Sequence, residues 1–271
     1  MLTLASDFGT PYPAAMRGVI LRRTDARLVD VAHDLPRGDI RAAAFWLREL
    51  LPYFPPAVHL VVVDPGVGTD RNALVVRAGN HALVGPDNGV LFPVARELAV
   101  DAPLEAFLVD DDHDDLRPER TGRSRGQKST TFHGRDVFAP AAADVHETGV
   151  DSLETLPYLS LTDDWVDLEL PEATVDGERA VGEVLVVDGF GNVITNVSGT
   201  YLEGREVVVA NGECVPVGET FAAVEPSERL ATVGSHGNVE LDVNQGRGEA
   251  AFGLEAGDAV VLEFGDDGRC E

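Results

Sequence analysis

Five short polar stretches interrupt the otherwise apolar segments of this 271-residue chain. They are SDFG (Ser6–Gly9), DPGVGTDR (Asp64–Arg71), GPDNG (Gly85–Gly89), FHGRD (Phe132–Asp136) and DGFGNVITN (Asp188–Asn196). Each joins a charged side chain to glycines, whose missing Cβ lets backbone approach a ligand closely. Taken singly, an aspartate beside a glycine reads as a turn, and His133 as a packed or capping residue. Together they supply carboxylates, an arginine and a histidine, and two chemistries fit that inventory. One is a metal-dependent phosphoesterase with Asp7, Asp64, Asp87 and His133 as ligands, although these aspartates lack companion histidines at ligand spacing. The other is a metal-free site in which carboxylates grip a cationic or polyhydroxylated ligand while a His–Asp–Arg cluster handles a water.

Such groups converge only if the elements between them bring strand ends together. LTLASDF reads as a strand, and PYPAAMRGVILRRT as a helix with Ala15, Val19 and Ile20 on one side. ARLVDVA is a second strand. GDIRAAAFWLRELLPYF is a helix started by Asp39 and stopped before Pro55-Pro56, with Phe45, Trp46 and Leu47 as packing residues. AVHLVVVD has the β-branched character of a strand buried on both faces, and NALVVRAG with HALVGP predicts a hairpin around Gly79-Asn80. This β-α-β-α-β order predicts an α/β domain with a largely parallel central sheet, in which ligands gather where strands end. Residues 109–130 form a charged surface insertion with nothing to pack into a core, after which GRDVFAPAAADVHETG resumes as a helix with Phe138, Ala142 and Val145 on one face. From Val181 the pattern becomes short strands with turns about every ten residues. The expected architecture is therefore an N-terminal α/β domain, 1–168, and a smaller C-terminal all-β domain, 178–271.

The charge balance excludes several partners. Acidic residues number 47 against 21 basic ones, the net charge is -26, and Lys128 is the only lysine. That surface repels phosphate backbones, so no nucleic acid is expected as partner. The hydrophobic content, 44%, is too high for acidic disorder. The composition fits a solvated acidic surface in a salt-rich cytoplasm, a halophilic setting in which screening suppresses self-repulsion. Apolar runs such as VHLVVV fall far short of the roughly 20 residues of a membrane helix, and the N-terminus MLTLASDFGT reads as a strand entering a turn rather than a signal peptide. A cytoplasmic protein without membrane association is expected. Cys214 and Cys270 show no metal-ligand or disulfide-framework spacing and read as incidental thiols.

Six segments carry a resemblance in order along the chain: SDFGTPYPAAMRGVI, VDVAHDLPRGDIRAAAFWL, VVVDPGVGTDR, LVGPDNGVL, FHGRDVFAPAAA and VVDGFGNVITNV. They resemble the S-adenosyl-L-methionine (SAM) hydroxide adenosyltransferases, SAM hydrolases related to the enzymes that make fluoro- and chloro-adenosine from SAM. The resemblance covers nearly the whole chain outside the charged insertion. It implies an α/β N-domain, a β C-domain and a homotrimer, with SAM bound between the N-domain of one subunit and the C-domain of its neighbour. It further implies that SAM is the substrate, with no cofactor and no metal. Water or hydroxide displaces methionine from C5′ to give adenosine and L-methionine.

The resemblance also implies roles for individual positions. Asp64, Arg71 and His133 match the hydrolytic branch, whereas the halide users carry tyrosine in place of Asp64 and lack an equivalent of Arg71. An anionic Asp64 would repel a halide, so a SAM-dependent halogenase is the weaker alternative. In the expected chemistry Arg71 lowers the pKa of a positioned water, His133 accepts its proton, and Asp64 orients the histidine or the water. Asp7 would chelate the ribose diol and Gly134 would let backbone approach the ribose. Asp188 would meet the methionine ammonium and Asn192 the adenine edge. Phe190 and Phe221 are candidates for adenine stacking, Phe221 being equally suited to the core. Ser235 would grip the methionine end, beside His236, where the halide branch has arginine. Asp87 and Asn88 read as turn residues and His33 as structural. A sensor of SAM or adenosine that kept the pocket and lost the chemistry is the second functional class; the intact Asp64–Arg71–His133 set argues against it.

Overall fold

The computed structural model of the chain describes residues 1–116 and 129–264, and the chain divides into two compact units at Glu169/Leu170. The first unit is built on seven strands: β1 (Leu2–Ser6), β2 (Leu28–Ala32), β3 (Val58–Val62), β4 (Ala73–Ala78), β5 (His81–Pro86), β6 (Glu105–Val109) and β7 (Leu159–Thr162), in the order β2-β1-β3-β5-β4-β6-β7. The β2-β1-β3-β5 block is parallel, and β4, β6 and β7 extend it in antiparallel fashion. Helices α1 (Tyr12–Ile20) and α4 (Ala139–Thr148) pack on each other beside one face, and α2 (Ile40–Leu50) and α3 (Phe92–Ala99) do so beside the other. Along β3, Val58, Leu60 and Val62 join the core that holds Met16 and Phe138, whereas Val61 and the following Val63 join the core that holds Leu47 and Phe92. The strand is thus apolar on both sides because both sides are covered. The expected α/β class with a largely parallel sheet is observed.

Local signals act as their chemistry requires. The Asp39 side chain accepts a hydrogen bond from Ala42 N–H at 2.9 Å and caps α2. Strands β4 and β5 pair as the hairpin expected around Gly79-Asn80. Helix α1 differs from expectation: it buries Pro13, Met16 and Ile20, leaves Val19 at the edge and exposes Ala15. Met16 and Ile20, one turn apart, offer far more apolar area than Ala15, so they turn to the core. The charged insertion lies mostly outside the described residues, at 117–128. Its described start includes Leu116, which is fully buried in the α1/α4 core and corrects the expectation that nothing there packs inward.

The feature that positions a site is the parallel pairing of β1 with β3. Ser6 stands opposite Val62, so the turns that follow each strand leave the sheet side by side. Those turns carry Asp7 and Asp64.

The second unit is all-antiparallel. Strands β8 (Thr174–Asp176), β9 (Arg179–Val187), β10 (Val193–Ser198), β11 (Val207–Ala210), β12 (Glu213–Pro216), β13 (Arg229–Val233), β14 (Asn238–Val243) and β15 (Ala259–Phe264) follow the order β12-β11-β15-β9-β10-β14-β13, with β8 on β9. A bridge between Val217 and Ala231 joins the two ends and closes the sheet into a barrel-like form around Val184, Val208, Leu241 and Leu262. Cys214 is disulfide-bonded rather than an incidental thiol; a lone bridge leaves no local spacing signature. Among the described residues no helix is long and apolar enough to cross a membrane.

One buried acid stands out in this barrel. Asp242 on β14 is fully buried, and among the described residues no N–H or hydroxyl reaches either of its carboxyl oxygens. The nearby Glu240 carboxyl can bond to it only if one of the two is protonated. Burial first, then the negative charge of Glu240, a hydrogen bond with it and the charge of Asp188 push Asp242 up to about 8. The folded state therefore holds a proton there that the unfolded chain releases near pH 4. The stability this contributes is complete below that value and declines by about 1.4 kcal/mol per pH unit as pH rises toward 8. Asp242→Asn should remove that slope and be more stable than the parent at pH 8, measured by chemical denaturation across pH; equal pH slopes in parent and variant would contradict the buried, protonated carboxyl.

Candidate active site

Asp64 follows β3, and the turn after it folds the chain back so that Arg71 meets it. Two details make the reversal possible. Thr69 Oγ1 bonds to the Gly66 carbonyl at 2.7 Å, and Gly68 takes φ +81° where a Cβ would lie 2.7 Å from the Thr130 carbonyl oxygen. Arg71 then donates from Nε to Asp64 Oδ1 at 2.8 Å and from Nη2 to Oδ2, the side-by-side geometry of a guanidinium on a carboxylate. Nη2 also donates to His133 Nδ1 at 3.1 Å, and Nη1 to the Asn72 carbonyl at 2.9 Å. The guanidinium lies 5.0 Å from the Phe138 ring centroid. The Arg71 and Asp64 side chains are only 10% and 5% exposed, which shields the pair from solvent.

His133 begins a π-helical turn, Gly134–Phe138, that leads into α4. Wide turns of this kind interrupt α-helical register and recur at functional sites. Here the turn brings both His133 and Phe138 to the same guanidinium. Gly134 is required by packing: a Cβ would lie 3.0 Å from Met16 Sδ and 3.1 Å from Val62 Cγ1. Asp136 is fully buried in its side chain, accepts from Ser129 N–H at 2.7 Å and holds Arg135 through both oxygens.

A cavity of about 610 Å³ opens beside these groups, and Asp7, Asp64, His133 and Gly134 line it. Asp7 Oδ2 accepts from Gly38 N–H at 2.7 Å, which ties the loop before α2 to the turn after β1. Phe8, Tyr12 and Phe132 line the cavity as well, an aromatic wall packed edge to face at 5.5–6.1 Å. Carboxylate and aromatic rings in one cavity suit a cationic ligand with an apolar body. The wall escaped the sequence analysis, although each of its members stands within or next to a quoted polar stretch. The metal-ligand set considered from sequence is not assembled. Asp87 accepts from Asn72 Nδ2 and Val166 N–H, Asp64 is taken by Arg71, and no three His, Cys, Asp or Glu among the described residues converge for an ion. Asn88 donates to the Val63 carbonyl, so this pair shapes the turn.

The remaining sequence candidates belong to the second unit. Asp188 accepts from Phe190 N–H, Asn192 N–H and Asn192 Nδ2, so one carboxylate organises the whole turn between β9 and β10. Phe190, at its tip, is 81% exposed. Phe221 sits in a short helical turn and is 43% exposed, which removes it from the core. Ser235 is exposed in the turn between β13 and β14, and the adjacent His236 bonds through Nε2 to Glu240 Oε1 at 3.0 Å. His33 is structural: its ring bridges Ser6 Oγ and Asp30 Oδ1, and its carbonyl accepts from Gly9 N–H.

Comparison with known proteins decides the family. The model of the SAM hydroxide adenosyltransferase N-terminal domain matches residues 2–156, and that of its C-terminal domain matches residues 182–261. The chain belongs to the SAM hydroxide adenosyltransferase family. A relative from Thermus thermophilus named (R)-S-adenosyl-L-methionine hydrolase is 42% identical, covering 95% of this chain and 97% of that protein. One of the same name from Salinispora tropica is 38% identical over 97% and 98%. The crystal structure of an uncharacterized conserved protein from Thermotoga maritima, 31% identical, superposes with a TM-score of 0.80 over 97% of this chain and all of that one. In this SAM hydroxide adenosyltransferase family member, Asp64 is the sole carboxylate bonded to the buried Arg71 among the described residues. Asp64→Ala should therefore cost about 3–5 kcal/mol, the penalty for stranding a buried charge, measured by urea unfolding; a loss under about 1 kcal/mol, the range of exposed pairs, would contradict the burial.

Proposed function

We propose that this protein hydrolyses SAM to adenosine and L-methionine by attack of water or hydroxide at C5′. Support comes from the family, from relatives named for hydrolysis of (R)-S-adenosyl-L-methionine, and above all from the Arg71 guanidinium held between Asp64 and His133 beside the cavity. The sulfonium of SAM is already an activated leaving group, so methionine departs as a neutral thioether without an acid. What catalysis must supply is an oxygen nucleophile, in line with the C5′–S bond.

The hydrogen bonding of the set refines its roles. Arginine only donates, so His133 Nδ1 accepts from Arg71, and the neutral ring carries its proton on Nε2. Asp64 spends both oxygens on Arg71. In this arrangement His133 is a donor toward an oxygen lone pair rather than the base expected from sequence. Asp64 orients the guanidinium rather than the histidine. A positive guanidinium and an imidazole N–H favour hydroxide character in a bound water. As the C5′–O bond forms, the C5′–S pair leaves with methionine and the oxygen's proton passes to solvent. Asp7 binds the ribose diol, and Asp188, Asn192, Phe190, Phe221 and Ser235 serve the remainder of the substrate. The reading includes a homotrimer, no cofactor or metal, and action in a salt-rich cytoplasm, the last supported by the net charge of -26.

Purified protein incubated with SAM in concentrated KCl should release adenosine and methionine in equal amounts, resolved by chromatography. His133→Ala should lower kcat by about 10²–10³-fold, the usual effect of losing one donor at a developing charge, while SAM affinity holds. Undiminished turnover would contradict the assignment.

A further inference from the structure

Among the described residues, not every charge that lines the cavity has an ion-pair partner. Asp64 is neutralised by Arg71, and Arg135 by Asp136, which it meets at 2.6 Å and 2.7 Å. Two lining charges are left. One is Asp7, whose carboxylate touches only a backbone N–H among the described residues. The other is Arg37, an exposed residue on the cavity rim that makes no ion pair among the described residues. In a chain with 47 acidic residues against 21 basic ones, an arginine without a carboxylate partner at a cavity is itself unusual.

Its placement is fixed. Arg37 immediately precedes Gly38, whose N–H is bonded to Asp7, and Asp39 caps α2 one residue later. The arginine's backbone is therefore anchored to both the turn after β1 and the start of a helix.

We propose that Arg37 is a specificity-determining residue that binds the α-carboxylate of the methionine moiety. The inference rests on the SAM-hydrolase reading and extends it. SAM carries two positive groups, the sulfonium and the ammonium, and a single negative one, the carboxylate. Asp7 and the aromatic wall suit the cationic and ribose portion, and Arg37 is, among the described residues, the one lining cation without a carboxylate of its own. A guanidinium on a carboxylate also makes two parallel hydrogen bonds, so it fixes orientation as well as charge.

The test compares SAM with S-adenosyl-3-methylthiopropylamine, the same sulfonium lacking the carboxylate, in binding by calorimetry and in turnover at one fixed salt concentration. The parent should prefer SAM. Arg37→Gln should weaken SAM binding about ten- to a hundredfold, the range for a hydrogen bond to a charged group, through KM rather than kcat. It should leave the decarboxylated compound unchanged, and Arg37→Lys should recover part of the preference. Equal losses for both compounds, or an unchanged SAM affinity, would overturn the role of Arg37. If the parent binds SAM with the stated preference but hydrolyses neither compound, the hydrolase reading fails while the affinity ratios still decide Arg37. Absence of SAM binding overturns both.

Discussion

A buried guanidinium must find hydrogen-bond acceptors for its N–H groups or it destabilises the fold, and that requirement at Arg71 organises the site. Asp64, His133 Nδ1 and the Asn72 carbonyl together accept four hydrogen bonds from it, and Phe138 covers one face. Each partner is delivered by a different structural device. Asp64 comes from the end of a strand buried on both faces, Asn72 from a glycine turn that reverses the chain, and His133 with Phe138 from a π-helical turn. Because four of the five N–H donors of the cation are engaged, its partners lose freedom. Both oxygens of Asp64 hold Arg71, and the His133 ring is fixed in one tautomer. In the mechanism we propose, the site donates to an oxygen nucleophile, which suits a substrate whose leaving group is already positive.

Much of this was legible in the amino-acid sequence, for definable reasons. The apolar run AVHLVVVD, the Asp39 cap and the Gly79-Asn80 hairpin are local signals, and local physics decided them. The pairing of Asp64, Arg71 and His133 was legible only through a resemblance, because residues 62 positions apart share no local pattern. The buried side of α1 was missed because Ala15 and Met16 both satisfy an apolar periodicity, and only the opposing helix chooses between them. Leu116 was missed because its neighbours are charged, yet a single leucine reaches the core beside them. Arg37 had no signal at all: an arginine before a glycine is an ordinary surface residue until a cavity is seen beside it. Proton positions are a further level down. That His133 accepts at Nδ1 and carries its proton on Nε2 follows from one distance and from the inability of arginine to accept.

The acidic character of the chain has two separate expressions. Most carboxylates are solvated and set the surface charge. Asp242 and Glu240 are buried side by side, and there one proton is retained because two negative charges cannot be desolvated together. The Arg71 site solves the same desolvation problem in the opposite way, with a matched ion pair instead of a proton. Both solutions restrict what the carboxylates can do.

The protonation state of His133 tests this account most directly. Nitrogen-15 NMR of protein labelled in its histidines, assigned by difference against His133→Gln, reads the two ring nitrogens separately. At neutral pH the account predicts a neutral ring with its proton on Nε2 and an acceptor at Nδ1, and loss of that fixed pattern in Arg71→Ala. A ring protonated on Nδ1, or a pattern indifferent to Arg71, would contradict it.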